Sequence, residues 1–133
     1  MEVKSFKATS HQKLTTVDRF VSTALQSVAY VQHKHLTTTS YALHIALNEY
    51  YKNAPEFIDI IAESYMGAGY ALSDELEFKQ PAQHEIEAHL KALKLLAQDA
   101  HRTLSNYEEH GIISNIENFI GFIDSILYKL RLK

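Results

Sequence analysis

The sequence predicts an all-α fold, a four-helix bundle built from a single domain. Three observations lead there. Four segments repeat their apolar residues with a period near 3.6, the spacing of a helix with one buried face. Breakers are scarce, with Gly 4 and Pro 2 in 133 residues, which disfavours the many turns of an all-β chain. Two of the three connections are short, and short connections join antiparallel neighbours.

The first helix is expected over about Thr15 to His35. Val17, Phe20, Val21, Ala24, Leu25, Val28, Val31 and His35 follow one stripe, and Thr15 or Thr16 before Asp18 offers start chemistry. Residues 1–13 read as a polar, basic tail, and residues 14–133 as the bundle. The second helix follows the Thr37-Thr38-Thr39-Ser40 run, where a hydroxyl can cap it, and continues to about Met66, with Gly67 and Gly69 ending it. Pro55 falls inside it and raises the alternative of a kink, or of a fresh start capped by Asn53. The third is expected from near Pro81 to about Tyr107. The fourth is expected from about Ser114 to Leu132, with Ile116, Phe119, Ile120, Ile123, Ile126, Leu127 and Leu130 as its stripe and Gly111 as the separator.

The stretch GAGYALSDELEFKQ joins the second and third helices. At about 3.3 Å per residue its fourteen residues reach about 45 Å, enough to travel the length of a bundle. The third helix then starts parallel to the second, as in ferritin-like bundles with one crossover.

Composition excludes several classes of function. The absence of cysteine removes disulfides and thiolate metal sites. No segment reaches the ~18 apolar residues of a membrane span, and the N-terminus lacks a signal-peptide core, which predicts a cytoplasmic protein without membrane partners. A net charge of −3 does not mark the surface for nucleic acid. Lys4, Lys7 and Lys13 in the tail support at most weak, salt-dependent DNA binding. Phosphate loops, nucleophile elbows and zinc-protease helices are absent from the sequence. His84, Glu85 and His89 open the third helix without a useful same-face spacing, and His101 and His110 sit near helix ends.

The second helix carries the chemistry. Leu43, Leu47, Tyr50, Ala54, Ile58, Ile61 and Tyr65 form its core stripe, and beside it run His44, Asn48, Tyr51, Pro55, Asp59 and Glu63. Asp59 and Glu63 are an i, i+4 carboxylate pair, which repels mildly unless a cation intervenes. His44 is roughly 22 Å from Asp59 along the helix, whereas metal–ligand bonds are near 2 Å. One chain cannot bring them together. A second copy of the helix, antiparallel across a twofold axis, sets His44 of one chain beside Asp59 and Glu63 of the other. The corner at Thr37 to Ser40 reverses the chain and returns His35 towards His44.

The spacing of His44, Asp59 and Glu63 resembles the second histidine, the aspartate and the glutamate of Dps-type mini-ferritins. The chain is also similar to uncharacterised helical proteins of tailed phages, which implies a host-cytoplasm setting. The mini-ferritin resemblance implies a homo-oligomer, at least a twofold dimer and in that family a cage. It also implies iron, or another divalent metal, bound and oxidised by a ferroxidase site of His35 and His44 from one chain and Asp59 and Glu63 from its mate. The first histidine is His35 or, as the alternative, His33. The chain departs from the family pattern in having no Trp, a shorter gap between the histidines, and Asn48 where an acid is common. The other reading is a non-enzymatic helical-bundle protein that works as a structural or partner-binding module.

Overall fold

The computed structural model describes residues 12–75 and 85–132. Four helices are present: α1 (Thr15–Thr37), α2 (Tyr41–Gly67), α3 (Ile86–Asn106) and α4 (His110–Leu130), with no strand among the described residues. The fold is the all-α four-helix bundle that the apolar period predicts. No helix among the described residues is long and apolar enough to cross a membrane.

Each helix packs against two others. α1 lies on α2 and α3, α4 lies on α2 and α3, and the pairs α1/α4 and α2/α3 are the diagonals. Polar and ring contacts give the directions. Between α1 and α2, the Leu14 N–H donates to Tyr65 Oη (2.9 Å), Ser27 meets Tyr50 and His35 meets His44, so the two run antiparallel. Thr16 bonds Thr103 and the Tyr30 ring meets His89, so α1 is antiparallel to α3 as well. Lys94 to Asp124 and His101 to Glu117 set α3 against α4 in the same sense, and Lys129 to Glu49 and Asn115 to Ser64 do so for α4 and α2. Every packed pair is antiparallel, and α2 and α3 consequently share a direction. The path expected between them, with the start near Pro81 and His84, lies in residues 76–84, outside the described residues.

The core follows the predicted stripes with local corrections. Phe20, Leu47, Tyr50, Ile61, Tyr65, Leu90, Leu93, Phe119 and Ile123 are fully enclosed. Leu25, expected inward, is 45% exposed because it sits at the edge of its stripe. The hydroxyls of Thr15 and Thr16 do not cap α1. Its cap position is Leu14, without a side-chain bond, and Thr16 reaches sideways to Thr103 (2.7 Å) instead. Ser40 does cap α2, accepting from the Leu43 N–H at 3.2 Å. Pro55 does not break α2. It is exposed, and the burial of Ala54 and Ile58 on the adjoining face holds the helix through the one backbone bond lost. α4 starts four residues before Ser114, and Gly111 lies inside its first turn rather than between helices. The turn is made by Tyr107, Glu108 and Glu109, with Glu108 in the left-handed region at φ 58°.

One polar pair sits inside the core. Ser27 Oγ–H donates to the Ala24 carbonyl at 2.6 Å, and Ser27 Oγ lies 2.6 Å from Tyr50 Oη. A serine hydroxyl has one proton, so the tyrosine donates to it. Burial pushes the Tyr50 phenol well above its ordinary pKa, and the Tyr65 phenol is pushed up to about 12 chiefly by the same cause. Both act as fixed donors or acceptors at neutral pH. Ser27→Ala leaves the Tyr50 hydroxyl buried without an acceptor and is expected to cost about 1–3 kcal/mol. Tyr50→Phe leaves Ser27 bonded to Ala24 and is expected to cost less through its lost hydrogen bond, and urea unfolding of the two variants and their double mutant measures the difference.

Candidate functional site: a histidine pair at the first corner

α1 ends at Thr37 because Thr38 and Ser40 take extended backbone, which turns the chain into α2. A helix end leaves its last carbonyls without intrahelical partners. One of them, on His35, accepts from His44 Nδ1 at 2.9 Å. The bond is returned: His35 Nδ1 donates to the His44 carbonyl at 3.0 Å. The two imidazoles stack, with centroids 3.8 Å apart and planes 22° from parallel. Tyr51 packs on His35 at 5.0 Å, and Tyr41 lies over His44 at 6.5 Å. His35 is buried (6% exposed), His44 is half-buried, and His33, the alternative to His35, is exposed and turned away from the corner.

A carbonyl only accepts, so both Nδ1 atoms must carry a proton. In the neutral ring the lone pair then lies on Nε2. Among the described residues neither Nε2 has a hydrogen-bond partner. Fixing Nδ1–H on a backbone carbonyl is how proteins orient histidines that ligate through Nε2. The same geometry limits what the pair does together. Lone pairs in the planes of two stacked rings do not converge on a point about 2 Å from both. In this arrangement His35 and His44 clamp the corner, and they do not chelate one ion between them.

Asp59 and Glu63 are exposed on the outward side of α2, without an ion-pair partner among the described residues. They lie four and five turns from His44. The structure therefore brings His35 and His44 together and leaves the carboxylates apart from them within one chain. Among the described residues no three His, Asp or Glu side chains converge on a point that would hold a metal.

Other polar contacts, and the burial of His89, were not foreseen from the sequence. Glu109 is buried and accepts from Tyr70 Oη at 2.7 Å, which ties the start of α4 to the end of α2. Lys129 joins Glu49 at 2.6 Å. His89 is buried at 7% exposure, and its place in the series Ile86, His89, Leu90, Leu93, Ala97 was the available signal. A shallow groove of about 530 Å³ between α3 and α4 is lined by Gln98, His101, Arg102, Ser105, Asn106, Glu117 and Ile120, with His101 Nε2 2.9 Å from Glu117.

A family model covers residues 35–130, from His35 to the last residue of α4. The chain belongs to the family of unknown function DUF5856. The matched span holds the histidine corner, Asp59 and Glu63, and leaves out most of α1. No curated protein and no solved structure matches the chain.

Nitrogen-15 correlation spectra of the imidazoles test the clamp: both His35 and His44 are expected as the Nδ1–H tautomer at neutral pH. The variant His35→Phe with His44→Phe keeps stacked rings and loses both bonds. It is expected to lower stability by roughly 1–3 kcal/mol in chemical denaturation.

Proposed function

We propose that the chain is a ferritin-like, Dps-type metal-binding protein whose site is completed across a twofold axis between two copies of α2. The observation that carries this reading is the pair of oriented imidazoles at one end of α2 with unpaired carboxylates on its outward face further along. The donor set suits iron, with carboxylates as hard oxygen ligands and imidazole nitrogens beside them. Asp59 and Glu63 of one chain hold the ion, and His44, with His35 fixing its ring, approaches from the mate. Because the stacked rings do not converge, one imidazole ligates at a time: His44, the less buried of the two, takes that role, and His35 joins only if the stack opens. Ferrous ion is the substrate: each ion gives one electron to dioxygen or peroxide, a co-reactant taken from solution, and the ferric product is stored.

The outward face of α2 supports self-pairing. Its first half carries Tyr41, Ile45, Asn48 and Lys52, and its second half Glu56, Asp59, Glu63 and Met66. Antiparallel pairing sets the lysine against the acids and the exposed Tyr41 near Met66 of the copy. Opposite charges steer such contacts more than they tighten them.

A second reading rests on a different observation. Leu36 (69% exposed), Tyr41 (78%) and Ile45 (47%) surround the histidine corner on the outside. Clustered exposed apolar groups mark interaction surfaces, which supports a non-enzymatic bundle that acts as a structural or partner-binding module.

Sedimentation velocity combined with anaerobic ferrous titration separates the two. The metal reading expects a dimer or larger assembly, ferrous uptake, and oxidation on admitting oxidant. In Asp59→Ala uptake is expected to fall at least tenfold with helix content unchanged. Equal behaviour of wild type and Asp59→Ala sinks it, and an assembly that forms without any metal uptake favours the interaction module.

A further inference from the structure

His89 is a buried titratable group that neither reading uses. It sits in the first turn of α3, 7% exposed, between Ile86 and Leu90. Its ring packs against Tyr30 of α1 with centroids 4.7 Å apart and a 58° tilt. Its Nε2 is buried and has no hydrogen-bond partner. An apolar setting of this kind accepts the neutral ring as a flat, packing surface and rejects the imidazolium, which needs water or a carboxylate.

Among the described residues no carboxylate is hydrogen-bonded or ion-paired to the ring. α3 packs on α1 and α4. At the level of His89, the antiparallel registers set Tyr30, His33 and Lys34 on α1 and Tyr128 and Lys129 on α4. Lys129 is itself engaged by Glu49 of α2. On α3 itself, Glu85 is exposed at the helix start, and Glu87 is bound to Lys91 at 3.1 Å. Of these neighbours Tyr30 is the one in ring contact with His89, and the acid at this level, Glu49, is already engaged by Lys129.

We propose that His89 makes the start of α3 an acid-sensitive latch: neutral, it seats the first turns of α3 against α1, and protonated, it releases them. Release uncovers Ile86 and Leu90, which are otherwise 6% and 0% exposed, so the acid form presents a new apolar face at the end of the bundle that also carries the first corner.

The sign follows from linkage. Burial lowers the His89 pKa below its ordinary value, so the unfolded or released ring binds its proton more readily than the seated one. The contribution of the seated ring is fully present above about pH 6.5. It is lost as the pH falls from there through the lowered value.

Amide hydrogen exchange of the full chain at pH 7.5 and 5.5, corrected for the intrinsic chemical rate, tests the latch. Protection in residues 86–93 is expected to fall by up to about tenfold on acidification, one pH unit below 6.5 corresponding to a factor of ten. The middle of α2 is expected to keep its protection. In His89→Phe, which retains a ring against Tyr30, the pH dependence of residues 86–93 is expected to vanish. Equal pH dependence in the two proteins overturns the proposal, as does a loss of protection spread evenly over the four helices. Should His89→Phe not fold, the wild-type ring decides: its carbon and nitrogen shifts should stay those of the neutral form until α3 opens. Titration at the ordinary histidine value, with residues 86–93 still protected, overturns the latch.

Discussion

The hydrogen bond from Tyr50 to Ser27 inside the core does most to fix how the four helices sit. Burial of apolar side chains along α1 and α2 is tolerant of sliding, because leucine, isoleucine and valine pack acceptably at several offsets. A buried hydroxyl is not tolerant. Moving α2 by one turn along α1, about 5.4 Å, strands the Tyr50 hydroxyl in a dry interior at the cost of an unmade bond. The contacts at the two ends, Leu14 to Tyr65 and His35 to His44, obey the same register. Once α1 and α2 are aligned, α3 and α4 have one remaining pair of grooves, and both lie antiparallel to their neighbours.

The architecture was legible because it is a matter of period and spacing. Tyr50, Ile61, Tyr65, Phe119 and Ile123 repeat at helical intervals, and all are enclosed. Helix ends were less legible, since each is a contest between local preference and packing. Gly111 looked like a break, yet α4 runs through it. The conformational cost of one exposed glycine is about 1 kcal/mol, and the burial of Ile112 and Ile116 in the following turns outweighs it. Thr16 looked like a cap, but its hydroxyl found a better partner in Thr103 on another helix, which one-dimensional reading does not reveal.

The candidate site was legible to the extent that it is local. A four-residue corner of Thr and Ser brings two histidines nine positions apart onto each other, and the sequence predicted their approach. The mutual bonding of each ring to the other's backbone was not predictable. It depends on the carbonyl that α1 leaves free at its end, and so on where that helix stops. That bonding also changes what the pair means. Two histidines side by side suggest a chelate, whereas two stacked rings with Nδ1 occupied form a clamp whose outward nitrogens face separate directions of approach. The carboxylates of α2 belong to a different part of the surface, and within one chain they do not meet the histidines.

The charges along α2 run against its own backbone. A helix carries a partial positive charge at its start and a partial negative charge at its end, and sequences commonly answer with acids first and bases last. α2 has no acid in its first turn and no base in its last. On its outward face Lys52 precedes Glu56, Asp59 and Glu63. Side chains and peptide groups therefore add into one long dipole, lying at the surface with its negative end uncompensated by its own helix. Such a dipole has a preferred neighbour: an identical one reversed, or a mobile cation gathered at its acidic end. The backbone share of that dipole is offset by α1 and α4, which lie antiparallel beside α2, so the side-chain charges carry the remaining asymmetry, with a reach that shortens as salt is added.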